Sequence, residues 1–556
     1  MKKGFFACIK SDGRRLCLKR QNFIKGSIIL MISAAAAKIL GAVFKIPLTN
    51  MLGGIGMSYF SCAYSLFMPI YAFTVTGVST AVARLTAQSA ALGMYANAKR
   101  VRREALLLFP SVGLAGSLLI FLLAKPFSIY FIGSTEASAA VAMIAPAVFF
   151  GCIAAVERGY YEGMSNMYPT AFSQAAEGIV KAAAGLFLCG CVNAHPRTVQ
   201  RLFPSVTDIR GAAAAAGILG VTLSTAGAAL FFALIRPFCK APHSVEAHTM
   251  SRKAVARELA ATALPVGVSA LVTNLTAFVD MWTVIGCISR SVNPADIPSG
   301  VTESELPYFI YGSFSGIALT IFGLVPSVTN MLGKGALTCI TAARESGDRA
   351  ALEKGTEQAL LTAAAIAVPS AAGIFVLAPE ILGFLYPRQP DEAALCTEPL
   401  RYLMAGMVCL CVSYPLFSML QAVGKTSSPL KIMLVGTAAK LCGNLLFIPF
   451  MGVEGAALST SLCYVIILTV SLRVYIKASG VRIASTPFRK VLYAGAMCGG
   501  AAYTAACGAE RLGAPLFAVI AVSAAVGGTV YILLMRALLT GLNVVLRKEK
   551  DGILLK

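Results

Sequence analysis

The segment Gly26-Ser-Ile-Ile-Leu-Met-Ile-Ser-Ala-Ala-Ala-Ala-Lys38-Ile-Leu-Gly-Ala-Val-Phe-Lys45-Ile-Pro47 decides how the rest of the chain is read. A helix that crosses a bilayer needs roughly 20 predominantly apolar residues. This stretch supplies them with two charges, both lysines. Eight Lys and Arg residues precede it in the first 25 positions, and Ala34 to Ala37 imitate a cleavage site, so the opening resembles a secretory signal. The apolar run nevertheless continues to Pro47 and many similar runs follow. We therefore read a retained first span whose basic tail, residues 1–25, lies on the anionic inner leaflet.

The same composition extends to the whole chain. Of 556 residues, 57% are hydrophobic and 13% charged, with mean hydropathy +0.76. Soluble domains carry about a quarter charged residues, so a soluble fold is excluded. The sequence predicts an all-α polytopic membrane protein of fourteen transmembrane helices. The first six spans lie near 26–47, 59–83, 104–124, 139–160, 170–192 and 211–235. The next six lie near 258–287, 306–330, 355–379, 399–423, 430–450 and 453–476, and a final pair near 488–508 and 513–540.

Lys and Arg are retained on the cytoplasmic side of membrane proteins. With the N-terminus inside, and charges at span ends counted with the adjacent loop, 35 of the 47 basic residues fall inside, 8 outside and 4 within spans. Both termini are thus expected on the cytoplasmic side of the membrane. The net charge of +22 is spread over short connections and forms no basic domain, which argues against nucleic acid. The 16 cysteines include no CxxC pair, and the three histidines, His195, His243 and His248, fall in polar loops. Neither pattern predicts a metal site, a disulfide framework or an intramembrane histidine relay.

An internal repeat organises the spans. Gly220-Val-Thr-Leu-Ser-Thr225 in the sixth matches Gly455-Ala-Ala-Leu-Ser-Thr460 in the twelfth, and Pro169 opens the fifth as Pro429 opens the eleventh. Copies six spans apart point the same way across the membrane. They predict two pseudo-symmetric six-helix lobes around a central cavity. The N-lobe is 26–235, the cytoplasmic linker 236–257 and the C-lobe 258–476, followed by two appended helices in 488–540 and a cytoplasmic tail, 541–556.

No catalytic constellation is present. Gly424-Lys425-Thr426 lacks the preceding P-loop glycine, since Met419 holds that position, so no nucleotide or other cofactor is expected. The informative residues are ionisable groups inside spans, each costing roughly 2.5 to 3.5 kcal/mol at a helix centre and kept where it faces a cavity or a partner. Six stand out: Lys38, Lys45, Glu177, Lys181, Asp280 and Lys440. Lys38, Lys181 and Lys440 reach the midplane from three helices, with Lys45 on nearly the same face as Lys38. Glu177 and Lys181 are spaced for an intrahelical ion pair, Asn444 stands one turn from Lys440, and Asp280 beside Trp282 reads as an interfacial anchor. The surplus of cations favours an anionic substrate, and a diphosphate headgroup suits lysine point charges in a low-dielectric cavity.

Several segments resemble one family. Lys38-Ile-Leu-Gly-Ala-Val-Phe-Lys-Ile-Pro47, Leu52-Gly-Gly-Ile-Gly56 and Gly77-Val-Ser-Thr-Ala-Val-Ala-Arg84 resemble the first two helices of polysaccharide-type flippases, the group that includes the stage V sporulation protein B family. Arg158-Gly-Tyr-Tyr-Glu-Gly-Met-Ser-Asn-Met-Tyr-Pro-Thr170 with Ser173-Gln-Ala-Ala-Glu177, Tyr311-Gly-Ser-Phe-Ser-Gly316 and Ala422-Val-Gly-Lys425 are similar to later parts of that family. Glu162 and Cys339 depart from its usual Gln and Pro. The resemblance implies a member of the multidrug/oligosaccharidyl-lipid/polysaccharide exporter superfamily working by alternating access. Its substrate would be an undecaprenyl-diphosphate-linked oligosaccharide or peptidoglycan precursor, as in spore cortex synthesis, with membrane lipids and envelope-synthesis proteins as partners. It also implies a cationic cavity containing Lys38, to which the charge reading adds Lys440, Lys181 and Lys45, with Glu177, Asn444 and Arg84 in support. Two other readings are a cation-coupled multidrug-type antiporter and a membrane scaffold that does not transport.

Overall fold

The computed structural model describes residues 23–202, 208–237, 250–290, 298, 300–425 and 427–553, with side chains from Leu40 to Leu538 except those of Met331, Lys334, Thr338, Ala342 and Glu345. Most of the basic N-terminal tail and the middle of the 236–257 linker, including His243 and His248, lie outside the described residues, as do the side chains of Lys38 and of the tail 541–556. Among the described residues the regular elements are all helical.

In chain order the first of these are α1 (Phe23–Tyr71), a π-helical turn (Ala72–Thr76), α2 (Gly77–Ala91) and α3 (Tyr95–Phe127). They are followed by α4 (Ala137–Ile144), α5 (Pro146–Gly163), α6 (Tyr168–Ala194), α7 (Pro196–Leu202), α8 (Ile209–Ile235) and α9 (Arg252–Ile288). Then come α10 (Leu306–Ser313), a second π-helical turn (Phe314–Ala318), α11 (Leu319–Phe322), α12 (Leu324–Glu345), α13 (Arg349–Val376) and α14 (Ala378–Leu385). The last are α15 (Pro390–Ala422), α16 (Ser428–Ser479), α17 (Ser485–Arg511) and α18 (Leu516–Ile553).

Two of these helices are each a pair of spans. At 1.5 Å per residue the 49 residues of α1 would extend about 73 Å, over twice the roughly 30 Å apolar thickness of a bilayer. The run is broken at Gly53, whose φ of 65° lies in the left-handed region open to glycine. The 52-residue α16 is broken in the same way at Gly452, φ 57°. Among the described residues eleven helical stretches are long and apolar enough to cross a membrane, one of them, 40–91, running through the Gly53 break. The bent pair Leu306–Phe322 and Leu324–Thr341 brings the number to twelve. The chain is a polytopic all-helical membrane protein.

Packing divides the chain into two compact units, Met1–Gly286 with Pro307–Gly312, and Cys287–Leu306 with Ser313–Lys556. The first therefore holds most of α9, which packs closely on the α2 region: a Cβ added at Gly77 would strike the Ala263 carbonyl, and one added at Gly267 would stand 2.6 Å from the Phe73 carbonyl. Within this unit Val78, Leu85, Val101, Tyr160, Phe232, Val255 and Leu259 share one buried apolar cluster. The second unit packs around Leu360, Leu416, Met419, Ile432, Ile467 and Tyr475.

Lipid is as apolar as the helix faces, so association inside the bilayer depends on close van der Waals approach through small residues. The repeat glycine Gly220 on α8 does this directly: a Cβ there would strike the backbone of Gly185 on α6. Gly185 in turn leaves room for the Phe44 ring of α1, 2.6 Å from where its own Cβ would stand. Pro169 and Pro429 both sit in the first turn of their helices, where a missing N–H costs nothing.

Gly220→Leu should lower the thermal midpoint of detergent-solubilised protein strongly, since overpacking costs typically about 1–3 kcal/mol and here the obstacle is backbone. Gly227→Ala on the same helix has nothing within 4 Å of the added carbon. It should leave the midpoint unchanged, and equal losses for both would refute the close-approach account.

Candidate functional site

Within the first unit, Lys45, Arg158, Glu177 and Lys181 lie on α1, α5 and α6. On α6, Ser173, Glu177 and Lys181 recur every four residues and share one face. Arg158, from the last turns of α5, reaches that face. Its Nη2 lies 2.6 Å from Glu177 Oε2, and its Nε donates to Ser173 Oγ at 2.9 Å. Their side chains keep 13% and 23% of their exposure, so the pair is largely withdrawn from solvent.

The expected intrahelical pair is thus corrected: the Glu177 carboxylate is bonded to Arg158, not to Lys181. Lys181 Nζ instead stands 5.2 Å from the Phe44 ring centroid and 5.5 Å from that of Tyr64. Among the described residues it has no carboxylate partner. The Lys181 charge also bears on Lys45, half-buried one residue beyond Phe44 on α1.

The floor under this cation is a run of rings. Phe60, Tyr64, Phe67 and Tyr71 follow at helical spacing on the second half of α1, with successive centroids 4.9, 5.9 and 4.8 Å apart. At one end Phe44 lies 6.1 Å from Phe60. At the other, Tyr71 is within electrostatic reach of both Glu177 and Arg158. Lys181 and the ion pair therefore mark two ends of one aromatic strip.

The other expected residues fall elsewhere. Lys38 lies on α1 where side chains are outside the described residues. Arg84 is exposed on α2, its Nη1 3.5 Å from Thr262 Oγ1 of α9. Lys440 and Asn444 belong to the second unit, 4% and 0% exposed and one turn apart on α16, where Ser459 Oγ donates to the Lys440 carbonyl at 3.0 Å. Asp280 is not the interfacial anchor expected of it, being 4% exposed while Trp282 is 47% exposed. Two residues apart on a helix, the side chains leave roughly 200° from one another, so one faces protein and the other does not.

Sequence reasoning missed Arg158 and a second buried ion pair. Arg102 of α3 meets Glu157 of α5 twice, Nη2–Oε2 at 2.6 Å and Nε–Oε1 at 3.1 Å, with its guanidinium 4.7 Å from the Tyr160 ring centroid. The available signal was the adjacent Glu157-Arg158 inside the fourth span, which counting end charges with the loops set aside.

A family model described as polysaccharide biosynthesis protein matches residues 23–336, and one described as MatE matches 314–446. The stage V sporulation protein B of Bacillus subtilis (strain 168) is 22% identical over 453 residues, covering 80% of this chain and 81% of that protein. The lipid II flippase MurJ of the same organism is 21% identical, covering 80% of each. Among solved structures, a lipid II flippase MurJ in an inward closed conformation aligns with TM-score 0.67 at 15% identity, over 93% of this chain and 99% of that one. An inward-facing multidrug resistance MATE family transporter aligns with TM-score 0.63 at 14% identity, over 82% and 99%. The fold is that of these transporters.

Glu177→Gln should be more damaging to stability than Lys181→Gln. The first leaves the Arg158 guanidinium without its counter-charge, about 1–3 kcal/mol once the fully buried figure is reduced for the remaining exposure. The second removes only contacts with two rings. Thermal unfolding in detergent measures both, and a lower midpoint for Lys181→Gln would refute the assignment of partners.

Proposed function

The chain belongs to the polysaccharide biosynthesis protein family, and from that premise we propose that it is a flippase for an undecaprenyl-diphosphate-linked oligosaccharide or peptidoglycan precursor. The observation that carries this reading is the half-buried Lys181 ammonium, left without a carboxylate because Arg158 takes Glu177. A cation kept in a span at a cost of a few kcal/mol is explained by an anionic ligand that visits it. The diphosphate supplies that charge while the prenyl tail stays in lipid.

In this proposal Lys38, Lys45, Lys181 and Lys440 form the cationic cavity, and the two six-helix lobes of the repeat alternate its access between leaflets. Both termini and the 236–257 linker face the cytoplasm. Spore cortex or general envelope synthesis is the process served, and the likeness to stage V sporulation protein B supports it. The MatE match over 314–446 favours a second reading, a cation-coupled antiporter of small molecules. An exporter of cationic drugs calls for unneutralised carboxylates in its spans; in the first unit Glu157 and Glu177 are each paired with arginine, Asp280 of α9 being the further buried in-span acid.

Two measurements test the proposal. Liposomes holding the purified protein should flip a fluorescent undecaprenyl-diphosphate saccharide well above the protein-free rate. Lys38→Gln, Lys181→Gln and Lys440→Gln should each reduce that rate about tenfold or more with expression unchanged. Flipping at the protein-free rate, alongside uptake of cationic drugs, would establish the antiporter instead. For orientation, cysteines engineered into 236–257 should resist impermeant reagents in intact cells, and external labelling there would invert the topology.

A further inference from the structure

Tyr64 contributes more than a ring to the strip beneath Lys181. Its hydroxyl oxygen is buried and has no hydrogen-bond partner among the described residues. Leaving a donor unsatisfied in low dielectric is unfavourable, and a hydroxyl kept there for packing alone is better replaced by phenylalanine. The adjoining positions show that phenylalanine fits this strip, because Phe60 and Phe67 occupy it four residues before and three residues after. The ring carrying this hydroxyl is one of the two over which Lys181 stands, 5.5 Å from the centroid.

We propose that the Tyr64 hydroxyl is a second hydrogen-bond donor to the oxyanion that Lys181 receives, so that the pair, with Phe44 as a wall, forms a phosphate subsite at the junction of α1 and α6. The inference rests on the flippase reading and deepens it. Lys181 supplies charge without direction, since an ammonium is a point donor. A phenolic O–H at fixed position on a helix supplies direction, and with it preference for an oxyanion over other anions. Held over ring faces and not bonded to an acid, the Lys181 ammonium exchanges only cation–π contacts when it turns to a phosphate oxygen. The Arg158–Glu177 pair at the far end of the strip keeps the neighbouring carboxylate from competing for it.

The test uses the full-length protein in nanodiscs, with thermal midpoint as the readout and undecaprenyl diphosphate, undecaprenyl monophosphate or inorganic diphosphate as the probe. Without probe, Tyr64→Phe should melt at or above the wild-type temperature. With undecaprenyl diphosphate it should bind about tenfold more weakly, the scale of one hydrogen bond to a charged group. Lys181→Gln should lose most of the probe-induced shift, and Tyr503→Phe, exposed on α17, should lose none. A lower probe-free midpoint for Tyr64→Phe would make the hydroxyl structural and overturn the proposal, as would unchanged affinity. If wild-type protein ignores both prenyl probes yet is stabilised by inorganic diphosphate through Tyr64 and Lys181, the subsite stands and the lipid-linked substrate falls. If undecaprenyl diphosphate binds equally to wild type and both variants, the subsite falls and the flippase reading survives.

Discussion

Arg158 determines the electrostatics of the first unit by taking the carboxylate of Glu177. Placed four residues before Lys181 on the same helix, Glu177 has an obvious local partner, and had it chosen that partner α6 would be internally neutral. The guanidinium offers two donors in a fixed fork, one used on the carboxylate and one on Ser173, and this geometry outcompetes a flexible ammonium. The outcome leaves an uncompensated positive charge half-way along a membrane helix. The aromatic strip of α1 is what makes that tolerable, because ring faces stabilise a cation without cancelling it.

Close backbone approach fixes where that charge stands. Gly185 and Gly220 allow α6 and α8 to touch along their main chains, and the space at Gly185 also admits Phe44 from α1. The three helices are thus mutually located within the width of a single missing methyl group. α16 shows a related economy in the second unit, where Gly443 approaches Ser459 across the Gly452 break and Ser459 bonds the carbonyl of Lys440. In both units a lysine sits next to the close contact that holds its helix.

Much of this was legible in the sequence, for reasons that also explain what was not. Apolar run length is a one-dimensional property, so the helices lie where the runs are, and even the doubled lengths of α1 and α16 resolve once Gly53 and Gly452 are seen as breaks. The lysines were visible because each interrupts an apolar run near its centre. Partners were not, because pairing is decided across helices. Arg158 is 19 residues from Glu177, Glu157 is 55 residues from Arg102, and both acids had plausible neighbours or loops nearby. Treating end-of-span charges as loop residues hid Glu157 and Arg158 together, though the structure buries them within α5. Asp280 was misread for a different reason: adjacency to Trp282 in sequence means opposition on a helix.

That opposition has a practical side. The chain contains one tryptophan, and it stands on α9 with about half its surface outside the packed interior, two residues from a buried aspartate. Indole emission from the native protein therefore originates at a single point. Its wavelength reports the polarity around one turn of one helix, and brominated acyl chains of graded depth would locate that turn against the bilayer normal. A protein with a dozen tryptophans needs labels for such an experiment, whereas this one carries its own optical ruler on α9.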